Sequence, residues 1–280
     1  MKTATYRTIR KYCIEYSNTL DINDTRLEFT IDPILNQNGK MLKNKKNKKK
    51  KGQKKKTKKI LSHLYGVELV PSKLIGKFNF CGDEGACLFN CIFFSGVQNI
   101  IKTEKIVNGQ LSDVIKMRIR KAFLFLNDPV FFYKKLRQEI LHYSEIASMM
   151  GQVAKFRLNM FSDVDHTIFQ NSLPNINFYD YTKKWDQKNI PNNVLLTFSA
   201  SEKTSEKMIL EKLRDGQNVA VPFEKELPDT YLGYPVISGD DDDDRSNDPR
   251  SVVIGLLVKV TLKGKEDKNK FTTHFNKKTK

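Results

Sequence analysis

From residue 64 onward, short apolar strand-like runs alternate with stretches of helical period, and this alternation constrains the fold more than any other feature. The runs are 64–70, 153–158, 176–181, 194–198, 218–223, 236–237 and 252–258. They are too short for core helices and rich in Val, Ile and Leu. Continuous apolar runs separated by helices predict a mostly parallel sheet covered on both faces. Six or seven such strands predict a single α/β domain forming a partial or TIM-like barrel, with an open doubly wound sheet as the alternative.

Helical stretches are predicted at 5–16, 113–127, 130–149 and 202–213. Ser112 stands where an N-cap belongs, and Gly151 and Gly216 where helices stop. Residues 27–31 alternate like a strand and are closed by Pro33 and the turn residues 36–39. The resulting organisation is an N-terminal segment, 1–42, a lysine-rich linker, 43–59, the barrel-like domain, 60–262, and a basic tail, 263–280.

The formal charge of +17 is concentrated in the linker. Like charges at that density repel and nothing in the run can be buried, so the sequence predicts a disordered basic extension. Lys48, Lys49, Lys50, Lys51, Lys54, Lys55 and Lys56 would attract nucleic acid or another polyanion by counterion release, without sequence specificity. A solvated linker that binds nothing is the plain alternative. The start of the chain has no apolar signal-peptide core and no run approaches a membrane span, so no membrane partner is expected. The expected location is intracellular, in a reducing host cytoplasm.

Three of the four cysteines, Cys81, Cys87 and Cys91, fall within eleven residues as C-x5-C-x3-C. This is no disulfide framework, because Cys87 and Cys91 are too close together and the chain is large. Three clustered thiolates are a donor set for zinc or for an iron–sulfur cluster. Zinc would take a fourth ligand from His63 or Asp83. Radical S-adenosylmethionine enzymes hold a cluster with three cysteines at the mouth of a partial barrel. Their spacing is C-x3-C-x2-C, so S-adenosylmethionine enters as a cofactor by analogy only. The alternatives are three inert core cysteines and a thiol–imidazole nucleophile pairing Cys87 with His274. Cys13, far away in sequence, reads as an incidental free cysteine.

Polar residues gather where the predicted strands end, which is where parallel barrels keep their chemistry. They are Arg157, Asn159 and Asp163, then Asp180 and Lys183, then Ser199 and Glu202, then Asp240. Each alone is an ordinary cap or turn former. As a set they predict a substrate pocket, with Arg157 or Lys183 meeting an anionic group. The acidic run 240–244 is either a hard-cation site or a solvated loop.

The same residues carry a resemblance that covers 59–275. The segments are Cys81…Gly85-Ala86-Cys87…Cys91 with Ser95-Gly96, Ile119-Arg120-Lys121, and Arg157-Leu158-Asn159…Ser162-Asp163. They continue with Phe178-Tyr179-Asp180-Tyr181-Thr182-Lys183, Leu196-Thr197-Phe198-Ser199…Ser201-Glu202 and Gly216 to Val221. The last are Leu227-Pro228, Gly239-Asp240, Asp244-Arg245 and Asp248-Pro249. In this order and spacing the chain resembles a family of tailed-phage and bacterial proteins, a domain of unknown function near the phage gene product eighty-eight proteins. It departs at Gly82, where the family has Pro, at Val97, where Arg is usual, and at Ser238, where Asp is usual. The resemblance implies a phage-type origin and supplies no reaction. The expectation is a metal- or iron–sulfur-dependent enzyme acting on nucleotide or nucleic acid. The alternative is a nucleic-acid-binding protein with a zinc-stapled loop.

Overall fold

The computed structural model describes residues 3–37, 63–82, 85–91, 93, 111–224, 226–241 and 243–257. The lysine run, Asp83, His274 and the 263–280 tail lie outside them.

The nine strands are β1 (Leu35–Gln37), β2 (Leu64–Val67), β3 (Lys155–Arg157), β4 (Asn177–Thr182), β5 (Val194–Ser199), β6 (Val219–Phe223), β7 (Thr230–Tyr231), β8 (Tyr234–Ser238) and β9 (Val253–Leu257). They form one sheet in the order β1-β2-β3-β4-β5-β6-β9-β8-β7. Every pair from β2 through β8 in that order is parallel, and the end strands β1 and β7 are antiparallel to their neighbours. Strands β2 to β6 follow the chain without reversal. That is the winding of a barrel, and a doubly wound sheet would reverse between them. The two end strands do not pair with each other, so among the described residues the sheet is open and forms part of a barrel.

Register shows which face is which. Tyr65 lies beside Phe156, Phe156 beside Phe178, Phe198 beside Thr182 and Val219, and Val219 beside Val253. Paired residues of parallel strands share a face, and that face carries both large apolar clusters. One cluster packs Tyr65, Val67, Phe156 and Phe178 against Ile115, Ile119, Phe132, Leu136 and Ile140. The other packs Phe198, Val219, Val221 and Phe223 against Ile209 and Leu213. The main helices therefore lie on one face, not on both as the apolar runs predict. Inner-face residues Ala220 and Ile254 are nonetheless buried, in a small cluster with Val252 and the partly buried Tyr181, Ile237 and Leu256. This packing among the strands and the β8–β9 connection explains why the runs look two-sided.

The helices are α1 (Thr3–Ser17), α2 (Ile22–Ile31), α3 (Asp113–Asn127), α4 (Pro129–Met149), α5 (Thr167–Asn171) and α6 (Glu206–Arg214). Ser112 caps α3, accepting from the Ile115 amide. Asp128 ends α3 and caps α4, accepting from the Phe131 amide, with Pro129 at the first turn. Gly151, at φ +67°, takes the left-handed turn that releases α4. Helix α6 starts at Ser205, later than its sequence predicts, because Ser201 and Thr204 close a separate turn first.

Residues 27–31 are helical, as the last turns of α2, where alternation predicted a strand. Asp21 decides this by accepting from the Asn23 and Asp24 amides and starting the helix upstream. Helices α1 and α2 belong to the main core through Ile9, Cys13 and Phe29. Burial raises the Cys13 thiol to about 12, which suits a packing residue. Arg120 on α3 reaches Glu28 at 2.9 Å and the Tyr16 hydroxyl at 2.9 Å. Lys121 donates to Asn36, and its burial pulls the ammonium down to about 8. Glu139 on α4 accepts the Ile34 and Leu35 amides at 3.0 and 2.8 Å, fixing β1.

Arg118 on α3 is 2% exposed and makes a two-nitrogen pair with Glu68, just after β2, at 2.8 and 2.6 Å. Removing one member of such a pair leaves a buried charge without its partner. Arg118→Met is expected to cost roughly 3 kcal/mol, read as a fall in the denaturant midpoint at unchanged slope. A midpoint within error of the parent would contradict this role.

Candidate functional site

The site is built where β2, β3, β4 and β5 end. After β2 the chain turns at Ser72 and Gly76 and reaches Cys81 with the Phe80 amide donating to the Ser72 carbonyl. The Ser72 amide donates to Cys81 Sγ at 3.0 Å, and the thiol faces the Phe161 carbonyl at 3.6 Å. A 3-10 helix, Gly85–Asn90, then carries Cys87, and Cys91 follows it. Cys81 and Cys87 are half-buried, Cys91 is buried, and all four cysteines are free thiols.

Lys183, just past β4, enters this group and hydrogen-bonds Cys87. Burial alone would lower its ammonium. The Cys87 and Cys81 thiols and the Asp163 carboxylate overcome that and hold it above its ordinary value. Cys91 is pushed up, first by burial and then by Cys87, with Cys81 adding to it and Lys183 opposing. The three sulfurs and one ammonium thus feel one another directly.

Asp163 ties the loop after β3 to this group. Its amide donates to the Phe80 carbonyl at 2.7 Å, and its carboxylate accepts the Lys183 amide at 2.8 Å. Burial raises its carboxyl despite the opposing Lys183 and Thr182 contacts. Glu202 approaches from the β5 side. Gly85 has φ +45°, and a Cβ there would collide with the Glu202 carboxylate. Gly85 is therefore required twice, by its backbone and by its neighbour.

Asn159 and Asp180 stand behind the site. The Asn159 side chain accepts from Ser162 and the Val164 amide and donates to the Val164 carbonyl, stapling its loop. Asp180 accepts the Asn159 and Tyr181 amides, and Arg157 Nε lies 3.6 Å from it. Burial dominates and raises Asp180 to about 7, with Arg157 opposing. A cavity of about 20 Å³, room for one water, lies among Asn159, Asp163, Asp180, Thr182 and His166.

Several expected members sit elsewhere. His63 is at the start of β2, the opposite end from the cysteines, and contacts Tyr65, so it is not their fourth ligand. Ser199 is on the inner face of β5, beside Ala220. Asp240 follows β8 and accepts the Leu257 amide at 3.0 Å, holding the end of β9. The acidic run also reaches inward, with Asp244 pairing Lys155 at 2.7 Å. Among the described residues no three His, Cys, Asp or Glu side chains are gathered tightly enough to hold one metal ion. Sequence reasoning missed Lys155 and Tyr179 and gave Tyr181 no role. Alternation was the available signal for all three, since Lys155 and Arg157 flank the buried Phe156.

A family model for gene product 88 matches residues 34–274. The chain belongs to the gene product 88 family. The match begins between α2 and β1, so β1 and the whole sheet lie within it. No curated protein and no solved structure matches the chain in the comparisons made with them. No helix among the described residues is long and apolar enough to cross a membrane.

A carboxyl raised in the folded state binds a proton that the unfolded chain has already released. Stability from Asp180 is therefore present below its ordinary value, near pH 4, and is lost as pH rises through about 7. Asp180→Asn is expected to gain on the parent over that window. The difference in Tm should shift in its favour by about 2–4 °C, the effect of about 1 kcal/mol in a chain of this size. A difference constant from pH 4 to 8 would show that Asp180 does not titrate this way.

Proposed function

We propose that the cysteine group holds an iron–sulfur cluster or a related thiolate-bound metal, and that the protein is an enzyme acting on a nucleotide or nucleic acid at the strand ends. The observation that carries this reading is the convergence of Cys81, Cys87 and Cys91 on the buried ammonium of Lys183. Three thiolates carry more negative charge than one ammonium offsets, so the donor set suits a soft, cationic group. A tetrahedral zinc would need sulfurs about 3.8 Å apart, from Zn–S bonds of about 2.3 Å. The cysteine ligands of a cluster stand farther apart than that, so metal and sulfide analysis distinguishes the two centres.

When bound, a cluster held by three thiolates supplies an open iron and one-electron chemistry. The chain's own residues do the rest. Cys81, Cys87 and Cys91 would hold it. Lys183 offsets the thiolate charge from the β4 side, and Asp163 fixes the backbone of Lys183. Glu202 closes the group against Gly85. The position at the C-terminal ends of parallel strands, on a singly wound sheet, is where such folds bind substrate.

Anaerobic purification with iron, sulfide and zinc analysis tests this. Iron with acid-labile sulfide is expected in the parent and is expected to be lost in the Cys81→Ala/Cys87→Ala/Cys91→Ala variant. Equal iron in both would overturn the assignment. A parent that takes up no iron even after reconstitution would overturn it too, and preferential alkylation of Cys87 would then favour a thiol nucleophile beside Lys183.

A further inference from the structure

The helix-free face of the sheet carries polar residues that the cysteine group does not use. Lys155 and Arg157 point there from β3, and Tyr179 and Tyr181 from β4, by the register that places Arg157 beside the Gly66 position and Phe156 beside Phe178. Arg157 is half-buried, and its guanidinium lies 4.6 Å from the centre of the Tyr181 ring. Its Nε donates to the Asn159 carbonyl and approaches Asp180. Its two terminal nitrogens have no hydrogen-bond partner among the described residues. A guanidinium stacked on a phenol, with its fork undirected, is suited to a planar or tetrahedral oxyanion.

The connection from β8 to β9 passes over this face. Asp244 pairs with Lys155 at 2.7 Å, and Ser246 also accepts from that ammonium. Asp243, Asp244 and Asp248 act electrostatically on Tyr179 or Tyr181, as do Arg157 and Arg245. Arg245 is buried and bound to Asp248 and the Ser238 carbonyl, so it belongs to the strap itself. Burial would raise the Asp244 carboxyl, but Lys155 and Ser246 hold it below the ordinary value. Asp244 stands in the β8–β9 connection, and its pairing with Lys155 carries that connection across the inner face to β3, with Asp243 also acting on Tyr179.

We propose that this helix-free face is a binding site for a phosphate-bearing ligand, with Arg157 as its main contact and Lys155 as a second, and that the carboxylate of Asp244 occupies the Lys155 position until the ligand replaces it. The inference extends the reading above by placing the phosphate of the substrate. It rests on that reading only for the identity of the ligand, since the anion contacts involve no cysteine.

The test is calorimetric titration of the full chain at low salt with inorganic pyrophosphate and, separately, with deoxyadenosine triphosphate. Asp244→Asn should tighten binding about tenfold, because a competing internal occupant lowers apparent affinity by the fraction of sites it fills. Arg157→Met should weaken it about tenfold or more. A gain cannot come from misfolding, so Asp244→Asn guards against an Arg157 variant that fails to fold. Tighter triphosphate than pyrophosphate binding would identify a nucleotide ligand, and equal binding a free phosphate group. Changing Lys48–Lys51 and Lys54–Lys56 to Gln should leave the dependence on Arg157 intact. The proposal is overturned if Asp244→Asn brings no gain, if Arg157→Met binds like the parent, or if binding disappears with the lysine run alone. Metal content is measured separately, so a cluster-free protein that still binds pyrophosphate leaves this site standing and removes only the other.

Discussion

The buried pair of Arg118 and Glu68 holds the rest of the structure in register. Glu68 follows β2 and Arg118 comes from the middle of α3, so the pair clamps the helical layer to the sheet at the point where the chain leaves for the cysteine loop. The guanidinium also stacks 4.5 Å from the Phe161 ring and 5.2 Å from the Phe93 ring. Phe161 lies in the loop after β3, and Phe93 follows Cys91. One buried cation thus fixes both walls between which the thiols sit. A neutral residue of the same shape would keep some packing but would lose the direction that the two-nitrogen fork imposes.

The same logic recurs at Lys183. A lysine buried among apolar groups would shed its proton, yet here thiols and a carboxylate keep the charge in place. Burial and partner act in opposite senses, and the partners win. Asp180 shows the reverse outcome a few residues earlier on β4. Its two backbone donors and a nearby Arg157 do not offset complete burial, so its carboxyl rises to about 7. Two groups three residues apart are therefore driven to opposite protonation behaviour, Lys183 toward a permanent charge and Asp180 toward neutrality. Environments that push neighbouring groups apart in this way are typical of working sites, although structural networks also produce them.

Much of the fold was legible because the strands announce themselves. The runs at 176–181, 194–198 and 218–223 appear as β4, β5 and β6 within one residue or so, since Val, Leu and Phe between turn formers leave few other options. Residues 27–31 misled because five alternating positions fit a strand as well as the end of a helix, and the deciding cap, Asp21, stands six residues earlier. One-sided helix cover was hidden for a related reason. Inner-face apolar residues such as Ala220 and Ile254 are buried by the strap and by one another, which no local pattern distinguishes from burial by helices. Among candidate site residues, Cys81, Cys87 and Cys91 were visible by their clustering, and Asp163, Lys183 and Glu202 as chemistry at strand ends. His63 was offered for its nearness in sequence and Asp240 because it directly follows a strand; His63 stands at the opposite end of β2, and Asp240 is engaged by the Leu257 amide.

The acidic run shows what a pattern can and cannot say about charge. Consecutive carboxylates read as a solvated loop or a cation site because each is considered against water or a metal. In the fold, Asp240 instead accepts the Leu257 amide and Asp244 meets Lys155, while Asp248 holds Arg245. The partners of Asp240 and Asp244 come from β9 and β3, both far from the run in sequence. Asp244 over Lys155 satisfies a cation from across the sheet, a pairing that no window of sequence contains. The cysteine group and the strapped face share strand β4, with Lys183 at its end and Tyr179 and Tyr181 on its inner side. Tyr181, under the Arg157 guanidinium, and Lys183, among the thiols, stand two residues apart on and just past that one strand, so the two places are joined by a rigid element.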